Sequence, residues 1–235
     1  MGRIFEKRKH TMFARYDRMA KAFTRIGREI AIAVKSGGPN PDNNPRLRVA
    51  IQNARGVNMP KEKVESAIKR ASSKDEKNFE ELTYEGYGPY GVAILIEAAT
   101  DNPTRTVANV RMYFSKGEGE LGKTGSLDFL FERKGVFKIA KGTLNVEDLE
   151  LELIDHGLDD LAVDDNEIYI YTAFTDFGAM QKALEEKGYT VISAGKQRIP
   201  RTLVELNEAQ QENIIKLVES LEQDDDIQHV YHNMK

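Results

Sequence analysis

The chain has 235 residues, 40% of them hydrophobic and 31% charged, which is typical of a soluble globular protein with one large domain or several small ones. It contains no cysteine, which excludes disulfide frameworks, thiolate zinc sites and cysteine nucleophiles. No apolar run approaches the roughly 20 residues that a membrane-spanning helix needs. We therefore expect a cytoplasmic protein without a membrane partner.

The net charge of −4 is unevenly distributed along the chain. Residues 1–78 hold 19 basic and 8 acidic residues, a net charge of +11, whereas residues 79–235 hold the other 15 basic and 30 acidic residues, a net charge of −15. Such asymmetry favours a polyanionic partner for the basic part, although a solvated surface is the plainer alternative. It predicts that the N-terminal third binds nucleic acid.

Three helical patterns follow one another in this basic third. From Ala14 to Ser36 apolar residues recur at steps of three and four, which indicates a helix with one buried face. Gly37-Gly38-Pro39 ends that helix, Asn44-Pro45 caps and starts a second one, and Asn58-Met59-Pro60 starts a third. Three such helices predict a small bundle.

Basic residues occupy the predicted outer faces of these helices. On the first helix they lie opposite the apolar stripe and predict a continuous cationic ridge. The candidate phosphate contacts in the bundle are Arg18, Lys21, Arg25, Arg28, Arg46, Arg48, Lys61, Lys69 and Arg70.

After a polar linker at 72–78, strand-like and helix-like patterns alternate. Strands are predicted at 92–96, 127–131, 136–139, 161–163, 168–172, 190–194, 199–206 and 227–231. Helices are predicted at 103–115, 146–155, 176–187 and 208–221.

The order of these elements predicts the domain organisation. Residues 134–198 spell β-α-β-β-α-β, one complete ferredoxin-like unit, and the pieces on either side make a second unit. The fold class is therefore α+β, an N-terminal helical bundle followed by two ferredoxin-like α/β domains, one inserted in the other. The predicted domains are 1–78, which is basic and helical, 79–133 plus 199–235, which is discontinuous, and the inserted 134–198.

A glycine-rich string at Gly117–Thr124 matches both G-x-G-x-x-G and the phosphate-loop pattern. A working phosphate loop leaves a strand and enters a helix, so that backbone N–H groups face the phosphates. Here a helix precedes the string and a strand follows it, and Glu118 and Glu120 would oppose a polyphosphate. We therefore predict a plain connection and no nucleotide hydrolysis.

No other motif points to catalysis. The four histidines lie outside any H-E-x-x-H pattern, and the acidic clusters lack the alternating ligands and glycine of a calcium loop. The sequence therefore predicts no catalytic residue, no metal and no cofactor, and a protein that is not an enzyme.

Two further segments have open interpretations. Tyr84–Gly91 places aromatic residues among glycines, which can stack on unpaired bases or form a turn that covers a sheet edge. In Thr100–Thr106, Asp101 or Asn102 can cap a helix. Arg105 in the first turn opposes the dipole preference of that helix, so it is a candidate for a phosphate contact or an interdomain ion pair.

Several strings in order resemble the YebC/PmpR family along nearly the whole chain. They are Pro41–Arg48, Asn58–Lys61, Ala67–Arg70, Tyr84–Gly91, Thr100–Thr106, Gly125–Leu127 and Phe131–Val136. The resemblance implies a helical N-terminal domain, two α/β-type domains and a DNA-binding transcriptional regulator. The family also includes a mitochondrial translational activator, and bacterial members linked to the ribosome and to proline-rich stretches. Many members begin with a Trp-containing string, whereas this chain begins Gly2-Arg3-Ile4-Phe5 and resembles the variant without it.

Two functions thus remain open from the sequence, a DNA-binding regulator of transcription and an RNA- or ribosome-associated translation factor. The basic helices lack a clear helix-turn-helix, and none carries the Asn, Gln and Arg set that reads base edges. This favours contacts to the backbone or shape of DNA, or of ribosomal or messenger RNA. The acidic remainder is expected to orient the basic domain or to bind a protein partner or the ribosome.

Overall fold

The computed structural model describes residues 3–73, 78–164 and 166–235, with side chains described from Met19 onward. The chain divides into two compact units, Met1–Phe79 and Glu80–Lys235. Among the described helices, none is both long enough and apolar enough to cross a membrane.

The first unit is helical, as predicted. Its helices are α1 (Arg3–Gly37), α2 (Pro45–Gly56) and α3 (Lys61–Ala71), so α1 begins well before the apolar pattern at Ala14. α2 and α3 each pack mainly against α1. The core is formed by buried apolar side chains of all three helices, among them Ile26, Ile30, Val34, Leu47, Ala54, Val64 and Ala67.

Asn44 fixes the corner between α1 and α2. Its side chain is only 3% exposed, its Oδ1 accepts a hydrogen bond from Leu47 N at 3.0 Å, and its Nδ2 donates to the carbonyl oxygens of Ala33 (2.7 Å) and Gly38 (2.8 Å). A Cβ at Gly37 would lie 2.8 Å from that Nδ2, so this glycine is needed for the close approach. One side chain therefore caps α2 and satisfies carbonyl groups at the end of α1.

The second unit contains two four-stranded antiparallel sheets. The first sheet has the order β3-β1-β2-β8, formed by β1 (Glu80–Tyr87), β2 (Ala93–Thr100), β3 (Glu120–Leu121) and β8 (Ile227–His232). Helices α4 (Pro103–Lys116) and α7 (Glu208–Glu222) pack on one face through a core that includes Ile94, Ile96, Phe114, Ile214 and Leu217.

Two strand predictions for this first sheet are wrong, and one of its strands was not predicted. β1 was not predicted, because Tyr84–Gly91 reads as a turn, whereas Tyr84 to Tyr87 form the end of that strand. Residues 127–130 form a turn, in which Leu127 is buried against Ala93 and Leu95 on the face away from α4. Most of 199–206 lies outside a strand, where only Val204 bridges to Met234.

The second sheet has the order β5-β6-β4-β7, formed by β4 (Phe131–Ala140), β5 (Leu158–Asp164), β6 (Glu167–Ala173) and β7 (Val191–Pro200). Helix α5 (Val146–Leu153) follows β4, and α6 (Phe177–Glu186) follows β6. This is the predicted β-α-β-β-α-β sequence with the strand order of a ferredoxin-like sheet. The predicted fold class is confirmed, whereas the domain boundaries stay a prediction.

Arg198 on β7 connects the two sheets. Its side chain is 8% exposed, its Nε donates to Glu97 Oε1 on β2 at 3.2 Å, and its Nη1 lies 3.5 Å from Asp128 Oδ1. Tyr231 on β8 also donates to Glu97. Because a buried guanidinium is costly without partners, these contacts fix where the sheets meet.

Candidate nucleic-acid interface

The outer face of α1 carries three of the predicted phosphate contacts, Lys21, Arg25 and Arg28. At 100° per residue they lie on the side of the helix opposite the buried Ile30. All three are half-buried, so their stems are covered while part of each side chain reaches solvent. Arg18, the fourth predicted contact on α1, lies outside the described side chains.

Part of the predicted ridge on α1 is used inside the N-terminal unit. The Arg28 guanidinium carbon lies 5.3 Å from the centroid of the Phe79 ring, and Lys35 Nζ donates to Ser73 O at 3.0 Å. These two contacts join Ser73 and Phe79 to the outer face of α1. Arg28 and Lys35 are therefore partly engaged within this unit, and the phosphate-binding role of the ridge stays a prediction.

The remaining predicted contacts in this unit are exposed on α2 and α3. Arg46 and Arg48 lie on either side of the buried Leu47, so α2 presents one cation along each flank. Lys69 and Arg70 occupy the last turn of α3, where cations also stabilise the helix dipole. Lys61 Nζ lies 3.5 Å from Glu65 in an exposed ion pair of the kind that contributes little to stability.

Two further exposed cations belong to this surface, Arg55 and Lys63, which the helical patterns place on outer faces but which the candidate phosphate contacts do not include. Arg55 lies two helical turns after Arg48 on the same flank of α2, about 10.5 Å along the axis. The spacing of seven residues was the signal that could have identified it. Lys63 Nζ lies 5.1 Å from the ring centroid of Phe23, and so connects α3 to α1.

Arg105 is occupied by an ion pair inside the second unit. Its Nη2 lies 2.7 Å from Asp226 Oδ2 and 2.9 Å from Asp101 Oδ1, and its Nε also donates to Asp226. The Asp226 side chain is 3% exposed and accepts a further hydrogen bond from Thr106 at 2.8 Å. The geometry accounts for Arg105 without a phosphate, so it is not part of the interface proposed below.

The glycine-rich string forms a connection, as predicted. It follows α4, includes the short β3, and leads into a turn whose backbone N–H groups face a buried carboxylate. Glu85, 2% exposed, accepts from Leu127 N at 2.6 Å and from Gly125 N at 2.8 Å. The amides that could hold an anion after Thr124 are therefore already bound by the protein's own carboxylate.

Tyr84–Gly91 combines strand β1 with a tightly packed turn. A Cβ at Gly86 would lie 2.5 Å from Glu120 O, and one at Gly88 would lie 3.1 Å from side chains of Ile94 and Ile214. Tyr90 has a positive φ of 64°, is 44% exposed, and accepts a hydrogen bond from Asn213 at 2.8 Å. The glycines are thus explained by close packing, and base stacking by Tyr90 stays a prediction.

Comparison with family models decides the family. The model described as "TACO1/YebC protein N-terminal domain" matches residues 3–74, and "TACO1/YebC second and third domain" matches residues 79–234. The chain belongs to the TACO1/YebC family. The resemblance that the sequence strings predicted is therefore confirmed.

Relatives in this family match the whole chain. A protein of Cytophaga hutchinsonii is 60% identical over 234 residues, covering 100% of this chain and 98% of its own length. One of Parabacteroides distasonis is 56% identical over 236 residues, with 100% and 97% covered. Both carry the name "probable transcriptional regulatory protein". A crystal structure of a conserved hypothetical protein from Aquifex aeolicus superposes with a TM-score of 0.83 at 38% identity, covering 92% of this chain and 90% of that one.

Proposed function

We propose that this TACO1/YebC chain is a nucleic-acid-binding regulatory protein that acts on transcription by binding, without catalysing a reaction. The observation that carries the proposal is a helical unit whose sequence has a net charge of +11 over residues 1–78 and whose exposed cations lie on α2 and α3. A polyanion gains affinity from such a surface by releasing its counterions. The names of the relatives support transcription as the process.

The mode of binding that this surface supports is contact with phosphates. α2 and α3 are joined by four residues, as in a helix-turn-helix, but each packs mainly on α1. The described exposed side chains of α3 are Lys, Glu, Ser and Arg, without the Asn or Gln that pairs with adenine. Phosphate contacts fix position and carry little sequence information. Because a phosphate-binding surface suits RNA as well as DNA, an RNA- or ribosome-associated role in translation is the second candidate.

Anisotropy titrations of the full chain at several salt concentrations test the interface. If six cations contact a labelled DNA duplex, log affinity should fall with log salt at a slope of about −5. In one variant both Arg46 and Arg48 are replaced by Gln, and in another both Lys69 and Arg70 are. Each variant should make the slope of log affinity against log salt less negative by about 1.8, since each lost phosphate contact removes about 0.9.

The matched control is the double variant Arg111→Gln and Lys116→Gln on α4, which removes two exposed charges from the acidic unit. It should leave the slope unchanged. A wild-type slope near zero, or an equal loss in the control, would overturn the assignment of the interface to the helical unit.

Crosslinking in cells, followed by sequencing of the recovered DNA and RNA, distinguishes the two candidate processes. Discrete promoter peaks are expected if the chain regulates transcription. A dominant ribosomal RNA signal would instead support the second candidate, and the charge variants should reduce whichever signal is real.

A further inference from the structure

The second sheet presents one face to α6 and an opposite face that has a different chemistry. Phe137 on β4 stacks on Phe177 of α6 with ring centroids 4.6 Å apart, and Ile168 and Ile170 on β6 are fully buried. Since successive side chains alternate between faces, the residues between them lie on the other side. A Cβ built at Gly195 on that side would meet no described atom within 4 Å, so the face is open there.

Two tyrosines lie side by side in the middle of this open face. Tyr169 and Tyr171 are two residues apart on the central strand β6 and both are half-buried. They are paired across the sheet with Lys138 and with Val136 on β4, and Val136 itself is buried beside the Tyr171 ring. Lys138 Nζ lies 5.2 Å from the centroid of the Tyr169 ring, so this surface already holds one cation over an aromatic ring. Tyr171 lies beside it, opposite Asp160 on the edge strand β5.

Single-stranded RNA is bound by sheets of the same topology, on which aromatic side chains stack with bases. The charges of this face argue against that ligand. Its two lysines are engaged by carboxylates, Lys134 by Glu132 and Asp159, and Lys138 by Glu167 at 2.9 Å. Five carboxylates oppose these two lysines, a net charge of −3, and they are Glu132, Asp159, Asp160, Asp164 and Glu167. Phosphates would be repelled and guanidinium groups attracted.

Exposed carboxylates mark where a cation would bind. Asp160 is paired with Tyr171 in the sheet register, and Asp164 with Glu167, so both belong to the open face, and both are exposed. They are four residues apart on β5, about 13 Å along the strand. That distance is twice the roughly 6.6 Å between alternate residues of an extended peptide, so two cations four residues apart on such a peptide can pair with both carboxylates.

We propose that this open face binds an extended, arginine-rich segment of a protein partner. Tyr171 stacks against one guanidinium, and Asp160 and Asp164 pair with cations spaced along the segment. The site goes beyond the nucleic-acid role of the helical unit, because it assigns a protein ligand to the acidic unit and gives that ligand its chemistry.

Anisotropy titrations of the full chain test this with a fluorescein-labelled peptide of ten residues in which Arg and Gly alternate. We expect saturable binding that Tyr171→Ala weakens about tenfold, whereas Tyr171→Phe, which keeps the ring, weakens it less than about twofold. The double variant Asp160→Asn and Asp164→Asn should also weaken it about tenfold.

The matched control is Glu147→Gln with Glu150→Gln, which removes two exposed carboxylates from α5. Binding should change less than about twofold. Equal losses in this control would show general charge attraction and overturn the site, as would no saturable binding of the peptide or equal losses in Tyr171→Phe and Tyr171→Ala. Oligouridine that loses affinity with Tyr171→Ala, when the peptide does not, would make the face a nucleic-acid platform and also overturn the proposal.

Discussion

At the residue scale, Arg105 illustrates how one cation can be misassigned from its position in a helix. In the sequence it opposes the dipole preference of α4, which favours a ligand for its charge. In the structure the positive charge of Arg105 is already paired with two carboxylates, those of Asp101 and Asp226. The hydrogen bond to Asp226, and then that to Asp101, raise the pKa of Arg105 above its ordinary value.

We expect Arg105→Ala to destabilise the second unit by about 2–3 kcal/mol. The substitution leaves the Asp226 carboxylate buried without its cation, and the cost falls below the roughly 3–5 kcal/mol typical of buried pairs because Arg105 itself is 45% exposed. Urea denaturation measures the change, with Arg111→Ala on the same helix as the exposed control. Unchanged stability together with a weaker affinity for DNA would restore Arg105 as a phosphate contact.

Asn44 and Glu85 show what local sequence can and cannot reveal about a residue. Asn44 was predicted as a cap because it precedes Pro45, and the cap requires only the next three residues. Glu85 gives no such signal, since its donors at Gly125 and Leu127 are 40 and 42 residues away. Its burial follows from chain crossings that a local pattern does not contain.

At the element scale, helices were easier to predict than strands. An amphipathic helix such as α1 or α3 displays its buried face within two turns, so periodicity suffices. β1 lacks a clean alternation because Gly86 replaces a side chain where β3 and Phe114 pack closely. Leu127 is buried although it lies in a turn, so its apolar neighbourhood falsely indicated a strand.

A polar link between α5 and the end of α6 gives a pH-dependent prediction. The hydrogen bond from Tyr189 to Glu152 raises the pKa of Tyr189 from 10.0 to about 12, and burial adds to that effect. Lys187 donates to the same carboxylate at 2.6 Å and is the main cause of the lowered pKa of Glu152, with Tyr189 second.

We expect the stability that Tyr189 contributes to be complete below pH 10 and lost between pH 10 and pH 12. The folded state holds the phenol proton more tightly than the unfolded chain, so raising the pH through the folded pKa removes the difference. Urea midpoints of the wild type and Tyr189→Phe should therefore differ at pH 8 and converge near pH 12. Tyr87→Phe in the first sheet is the control, and a gap that stays constant with pH would contradict the link.

Glu152 should show the opposite dependence, because its folded pKa lies below the ordinary value of 4.5. Its contribution is present above pH 4.5 and is lost as the pH falls through the folded pKa. Between pH 4.5 and pH 10 both Glu152 and Tyr189 stabilise the link between α5 and the end of α6, so the contribution of this link to stability is greatest in that range.

At the scale of the whole molecule, charge is separated between the two units. The first is held together by an apolar core of three helices while its sequence carries a large positive charge. Self-repulsion destabilises such a compact state, and a bound polyanion relieves it. We expect the acidic sequence of the second unit to give it no comparable affinity for polyanions.

We expect a DNA duplex at 100 times its dissociation constant to stabilise the helical unit by about 2.7 kcal/mol and to leave the second unit unchanged. Hydrogen exchange measures the stability of each unit separately. Amides of α2 and α3 that exchange through global opening of their unit should exchange about 100-fold more slowly when DNA is bound. Amides of β4 and β6 should not change. Equal protection of both units would show that DNA contacts are shared and would contradict the division of roles.

The sequence by itself determined the helical bundle, its basic charge, the β-α-β-β-α-β order and the family strings, because periodicity, capping and charge are local properties of the chain. Only the tertiary structure decided which of the cations are engaged by other residues of the protein. Arg28 lies against Phe79 and Arg105 binds Asp226, whereas Arg55 is exposed beside Arg48. The open face around Tyr171 also depends on strand pairing, which brings Asp160 and Val136 to either side of that ring. Each of these outcomes depends on contacts between residues distant in sequence or on the face that packing leaves uncovered.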